Sequence, residues 1–76
     1  MIKELDSVVL KRDLSDHGLE QGDVGAVVHR YSTGETLEVE FVTGEGETVA
    51  VLTLDAEEVR PMRSKEVLHA RDLGQV

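Results

Sequence analysis

The stretch GDVGAVVHRYSTGETLEVEFVTGEGETVAVLTL, residues 22–54, decides the fold. After Gly22-Asp23-Val24-Gly25 come three short runs rich in β-branched residues, broken by Ser32-Thr33-Gly34-Glu35 and by Gly44-Glu45-Gly46. Strand formers interrupted at short intervals by turn residues describe an antiparallel meander. Leu37, Val39 and Phe41 alternate with Glu38 and Glu40, as a strand with one buried face requires. Gly25, inside the run 24–31, marks a bulge or a close backbone approach. Gly34 stands where a hairpin loop needs positive φ. Residues 48–54 are apolar on both faces, Val49 and Val51 on one and Ala50, Leu52 and Leu54 on the other. That predicts a central strand, or one covered by the terminal segment.

Outward from this stretch, residues 5–10 read as a first strand. Residues 11–21 read as a loop folded back on the sheet, with Leu14 and Leu19 as inward anchors. Downstream, Asp55-Ala56-Glu57-Glu58 has the order of a capping box and predicts one helical turn. Residues 59–62 make a short last strand, in which Pro61 belongs at an edge or an end. Residues 64–74 read as a helix, with Ser64 as cap, Gly74 at C′ and Arg71 in the last turn. Its narrow apolar face, Val67, Leu68 and Leu73, needs a surface to dock on. The expected architecture is mainly β: a five-stranded SH3-like barrel over residues 1–63, with a short helical turn before the last strand. A C-terminal helical tail is expected over residues 64–76.

Composition agrees with this plan. Seventy-six residues form one domain near the lower limit for folding without staples, and there is no cysteine to supply one. Tyr31 and Phe41 are the only aromatics, so the core is built from Val and Leu, which suits a closed sheet with an aliphatic interior better than a helical bundle. No apolar run reaches membrane-spanning length. Met1-Ile2-Lys3-Glu4 lacks the basic-then-apolar order of a signal peptide, so a cytoplasmic location is expected. The net charge of −8 disfavours nucleic acid and anionic membrane as partners, because both reward cations.

Certain residues carry a resemblance. These are Leu5-Asp6-Ser7-Val8-Val9-Leu10, Gly18-Leu19, Gly22-Asp23-Val24-Gly25-Ala26-Val27-Val28, Val39-Glu40-Phe41 and Val59-Arg60-Pro61. Together they resemble a family of small bacterial domains of unknown function, over about residues 3 to 62. The resemblance implies the barrel and brings no cofactor and no catalytic residue. It also implies a neutralising or accessory role beside toxin-like proteins. The tail after Arg63 departs from the family's pattern.

No catalytic constellation stands out. Gly22-Asp23-Val24-Gly25 lacks the Lys-Ser/Thr of a phosphate loop and leads into a strand, not a helix. His17, His29 and His69 are too scattered for a metal centre. No serine lies in a Gly-x-Ser-x-Gly context. Glu38 and Glu40, about 7 Å apart on one strand face, have no pocket to raise either pKa for acid catalysis. No enzyme activity, metal or cofactor is expected.

One feature rises above this background. Residues 35–58 contain eight acidic side chains and no Lys, Arg or His. A single-sign surface of this density costs stability through repulsion unless a partner relieves it. The alternative is a charged face that blocks edge-to-edge pairing. The leading expectation is a protein-binding module, antitoxin-like or accessory, whose acidic hairpin (Glu38, Glu40, Glu45, Glu47) docks on a basic protein. The tail face, Val67, Leu68 and Leu73, is expected as a second contact. A nucleic-acid-binding SH3-like domain is the runner-up, with Lys3, Lys11, Arg12, Arg30, Arg60 and Arg63 as its charge. A small homo-oligomer, joined through a strand edge or the tail, is the third reading.

Overall fold

The computed structural model describes residues 2–73. Five antiparallel strands form one sheet: β1 (Ser7–Leu10), β2 (Val24–Arg30), β3 (Thr36–Val42), β4 (Thr48–Asp55) and β5 (Val59–Pro61), in the order β4-β3-β2-β1-β5. Two 3-10 turns, Ser15–His17 and Ala56–Glu58, complete the regular structure. The mainly β, five-stranded expectation holds. Closure into a barrel does not, because no ladder joins β4 to β5 among the described residues. β5 has only three residues, spends them on β1, and ends at Pro61, which has no N–H to offer a further strand.

The core follows the alternation. Leu37, Val39 and Phe41 of β3 are buried with Val8 and Leu10 of β1, Val27 of β2, Leu54 of β4 and Val59 of β5. Leu19 joins them from the loop, and Leu14, half-buried, bridges to it. Residues from both edge strands share one cluster, so the open sheet must curl around it. Gly25 proves to be a close approach, since a Cβ there would lie 2.6 Å from Val39 Cγ1. The bulge of β2 lies instead at Val28, between Val27 and His29.

Local chemistry explains the turns. Gly34 and Gly46 take positive φ in the two hairpin loops. The capping box at residues 55–58 forms, with the Asp55 amide donating to Glu58 Oε1 at 2.9 Å. β1 begins at Ser7, later than residue 5, because Leu5 stands in a left-handed turn (φ 74°) with its side chain in solvent.

Two further expectations fail. β4 is neither central nor covered. It is an edge strand, and Val51 is 50% exposed. The tail is not helical among its described residues: Ser64–Lys65 form a turn and residues 66–73 run irregularly, with Gly74 outside the described residues. Val67 is 92% exposed and Leu68 73%, so the apolar face of a helix would have no host, and a helix this short does not hold without one. Side-chain anchors set the tail's path instead. Arg60 grips Glu66 through two bonds of 2.9 and 2.7 Å, and Arg71 grips Asp23.

Candidate functional site: an acidic sheet face and a clamped tail

The pleat of β3 sends Glu38 and Glu40 to the face opposite the core. Register sets Glu38 against Thr53 and Glu40 against Val51 of β4. Both carboxylates lean across β4. Glu38 Oε1 accepts the Thr53 hydroxyl, and Glu40 Oε2 accepts that of Thr48 at 2.7 Å. Val42 and Val51 are partly exposed on the same two strands, and Val28 on the neighbouring β2. Glu45 and Glu47 stand in solvent on the β3–β4 turn. Thr43 shapes that turn, its hydroxyl accepting the amides of Glu45 and Glu47 at 3.3 and 3.1 Å.

Cations do not neutralise this surface. Of the eight acidic residues from 35 to 58, only Glu58 has an ion pair among the described residues, with Arg12. The other ion pairs lie elsewhere: Arg60 with Glu66, Arg71 with Asp23 and Glu20, His29 with Glu4, and His69 with Asp23.

The second feature is Asp23, the one buried charged residue among those described, 8% exposed. Its carboxylate accepts the Glu20 amide at 2.8 Å, Arg71 Nε at 2.8 Å and Arg71 Nη2 at 2.6 Å. His69 Nε2 lies 3.2 Å away. Arg71 Nη2 also donates to the Gly18 carbonyl at 2.9 Å. The tail is thereby tied to the loop before β2. Between tail and sheet lies an open cleft of about 540 Å³, lined by Phe41, Val42, Thr43, Gly44 and Val49 on the sheet side and by His69–Leu73 on the other.

These pairings carry a pH signature. Burial alone would raise the Asp23 carboxyl, but hydrogen bonds from Arg71, the Glu20 amide and His69, with the Arg71 charge, hold it below its ordinary 3.8. Arg12, then the Asp55 amide, lowers Glu58 from 4.5. Arg60 and the Arg63 amide draw Glu66 down to about 2. Carboxylates depressed in the folded state contribute stability that is complete above their unfolded pKa and lost as pH falls through the folded one. Urea midpoints are therefore expected to be flat above about pH 5 and to fall from about pH 4 towards pH 2. A midpoint unchanged down to pH 2 would show that these pairs contribute nothing.

The structure gathers Glu38 and Glu40 on one face, with Glu45 and Glu47 at the end of the same hairpin. It does not gather Val67 or Leu68 with them. Leu73 reaches the cleft beside Val42–Gly44. Sequence reasoning missed the Asp23–Arg71–His69 cluster, which joins groups 46 and 48 positions apart. Its only local signal was an aspartate in a glycine turn, which also reads as a plain turn residue. No group of three His, Asp or Glu side chains among the described residues could hold a metal ion, and no helix among them is long and apolar enough to cross a membrane.

Fold and site define a small antiparallel β domain with one acidic face and a clamped tail. Residues 4–61 match the family described as domain of unknown function DUF4926, and the chain belongs to that family. No curated protein and no solved structure matches it. Asp23 lies within the matched span, and His69 and Arg71 lie beyond it.

Proposed function

We propose that this chain is a non-enzymatic, cytoplasmic protein-binding module, accessory or antitoxin-like, that docks on a basic partner through the face of Glu38 and Glu40 and the turn of Glu45 and Glu47. The observation that carries this reading is that seven of the eight carboxylates from 35 to 58 have no ion pair among the described residues, while Arg60 and Arg71 pair outside that run. The strand order, with a 3-10 turn between β4 and β5, supports an SH3-like arrangement opened along that seam. Nucleic acid is the weaker reading, because Arg12, Arg60 and Arg71 are already engaged by carboxylates.

Charge reversal tests the proposal. Capture from lysate at low salt with the wild-type chain is expected to retain basic protein that salt releases. The double variant Glu38→Lys, Glu40→Lys is expected to lose at least about tenfold in affinity for that protein, since opposed like charges cost several kcal/mol. Equal retention by both chains would remove the acidic-hairpin mechanism.

A further inference from the structure

β4 stands at the edge of the sheet, and its outer side has no strand partner among the described residues. The Ala56 amide donates to the Glu35 carbonyl at 2.8 Å, which sets the parity of the β3–β4 ladder. Antiparallel pairs alternate between bonded and non-bonded, so Leu54, Leu52 and Ala50 exchange ladder bonds with Leu37, Val39 and Phe41. The β2–β3 ladder agrees. The Tyr31 amide donates to the Thr36 carbonyl, so Thr36 and Glu38 bond towards β2 and their odd-numbered neighbours towards β4. Val51 and Thr53 therefore turn both their amides and their carbonyls to the open side, where no described backbone group meets them. Most natural edges are protected by a charge, a proline or a bulge. Here the bulge lies at the start of β4, by Val49, and residues 50–54 carry neither charge nor proline.

We infer that β4 accepts, by strand addition, an extended segment of a partner protein that carries Lys or Arg at alternate positions. This rests on the acidic-face reading and specifies its partner. Cationic side chains are called for by geometry: the Glu38 and Glu40 carboxylates lean onto Thr53 and Thr48 of β4, towards the open edge. A strand laid about 4.8 Å beyond β4 places its same-face side chains over Val51 and Thr53. A lysine there reaches both carboxylates while its stem covers the exposed Val51 methyls. A second copy of this chain is the poorer occupant. Its own β4, Thr48–Asp55, carries no Lys or Arg to meet Glu38 and Glu40, and it would bring a second acidic face to the same seam.

The test uses the whole chain and two synthetic nine-residue peptides. One alternates Lys with Val; the other has the same sequence with the lysine amides N-methylated, the set that would face β4. The plain peptide is expected to bind and to slow hydrogen exchange at the Val51 and Thr53 amides. The N-methylated peptide is expected to bind at least about tenfold more weakly. Val51→Pro, whose lost N–H makes no bond to β3, is expected to keep the fold and lose binding to a similar degree. Glu38→Lys, Glu40→Lys should weaken it independently. If both peptides bind alike, Val51→Pro changes nothing and only the charge reversal matters, strand addition is wrong and the acidic-face reading survives. If neither peptide binds at millimolar concentration, this inference is overturned, and the charge-reversal capture assay decides the acidic face separately. Sedimentation showing a dimer abolished by Val51→Pro would make a second copy the occupant and overturn the choice of a basic partner.

Discussion

Gly25→Val is expected to lower the urea midpoint sharply, leaving only part of the domain's stability. A Cβ at this position meets Val39 Cγ1 at 2.6 Å and Phe41 Cε1 at 2.8 Å, both buried side chains with no free space to retreat into. The backbone of Gly25 is not in the left-handed region, so the obstacle is crowding, not torsion. Overfilling a packed core costs about 1–3 kcal/mol and occasionally more. Valine adds three carbons here, so the upper end, about 3 kcal/mol, is expected. A domain of this size has about 4–11 kcal/mol in total. Gly44→Ala is the matched control, because its added carbon meets nothing within 4 Å and its φ is not positive. It is expected to be neutral or to stabilise by about 0.4–1 kcal/mol, through a less free unfolded chain. Urea denaturation of the two variants decides the matter. Equal midpoints would mean that β3 can yield where the packing says it cannot.

Asp23→Ala is expected to cost about 1–3 kcal/mol and to release the tail. Its carboxylate is the shared acceptor of the Glu20 amide and the Arg71 guanidinium, and hydrogen bonds to a charged group contribute about 1.5–3 kcal/mol. Arg71→Ala should release the tail while leaving the Glu20 bond in place, so it should cost less than Asp23→Ala. Limited proteolysis reads release directly, with cleavage in residues 62–73 accelerated in both variants. Urea midpoints read the energy. Wild-type cleavage rates in both variants would show that the tail is held by something other than this clamp.

The alternation over residues 36–42 was legible because a half-buried strand writes its two faces into neighbouring positions. Gly34 and the capping box at Asp55 and Glu58 were legible for the same reason: each cause lies within four residues of its effect. What failed was set at longer range. The open seam between β4 and β5 depends on how β5 spends its few donors, and the edge position of β4 on strand order, which periodicity does not encode. Val51 looked like a core residue because an exposed valine and a buried one are written alike. The tail had helix signals at both ends, yet Arg60 donating to Glu66 and Arg71 donating to Asp23 hold it in another path. Of the site, the carboxylates were visible as a charge run. Their lean onto the β4 threonines needed the register.

The clamp separates two boundaries that are usually taken as one. The unit shared by the family runs over residues 4–61, while the unit that satisfies its own buried charge extends to Arg71. Asp23 lies inside the matched span, and the side chains of Arg71 and His69 reach it from beyond that span. A relative that keeps an aspartate at this turn without an arginine arriving from downstream must answer that charge with water, with another chain, or with a shallower burial of the turn. Sequence comparison alone would cut this protein at Pro61, and the shortened chain would carry an ionised group that its own fold had been completed to receive.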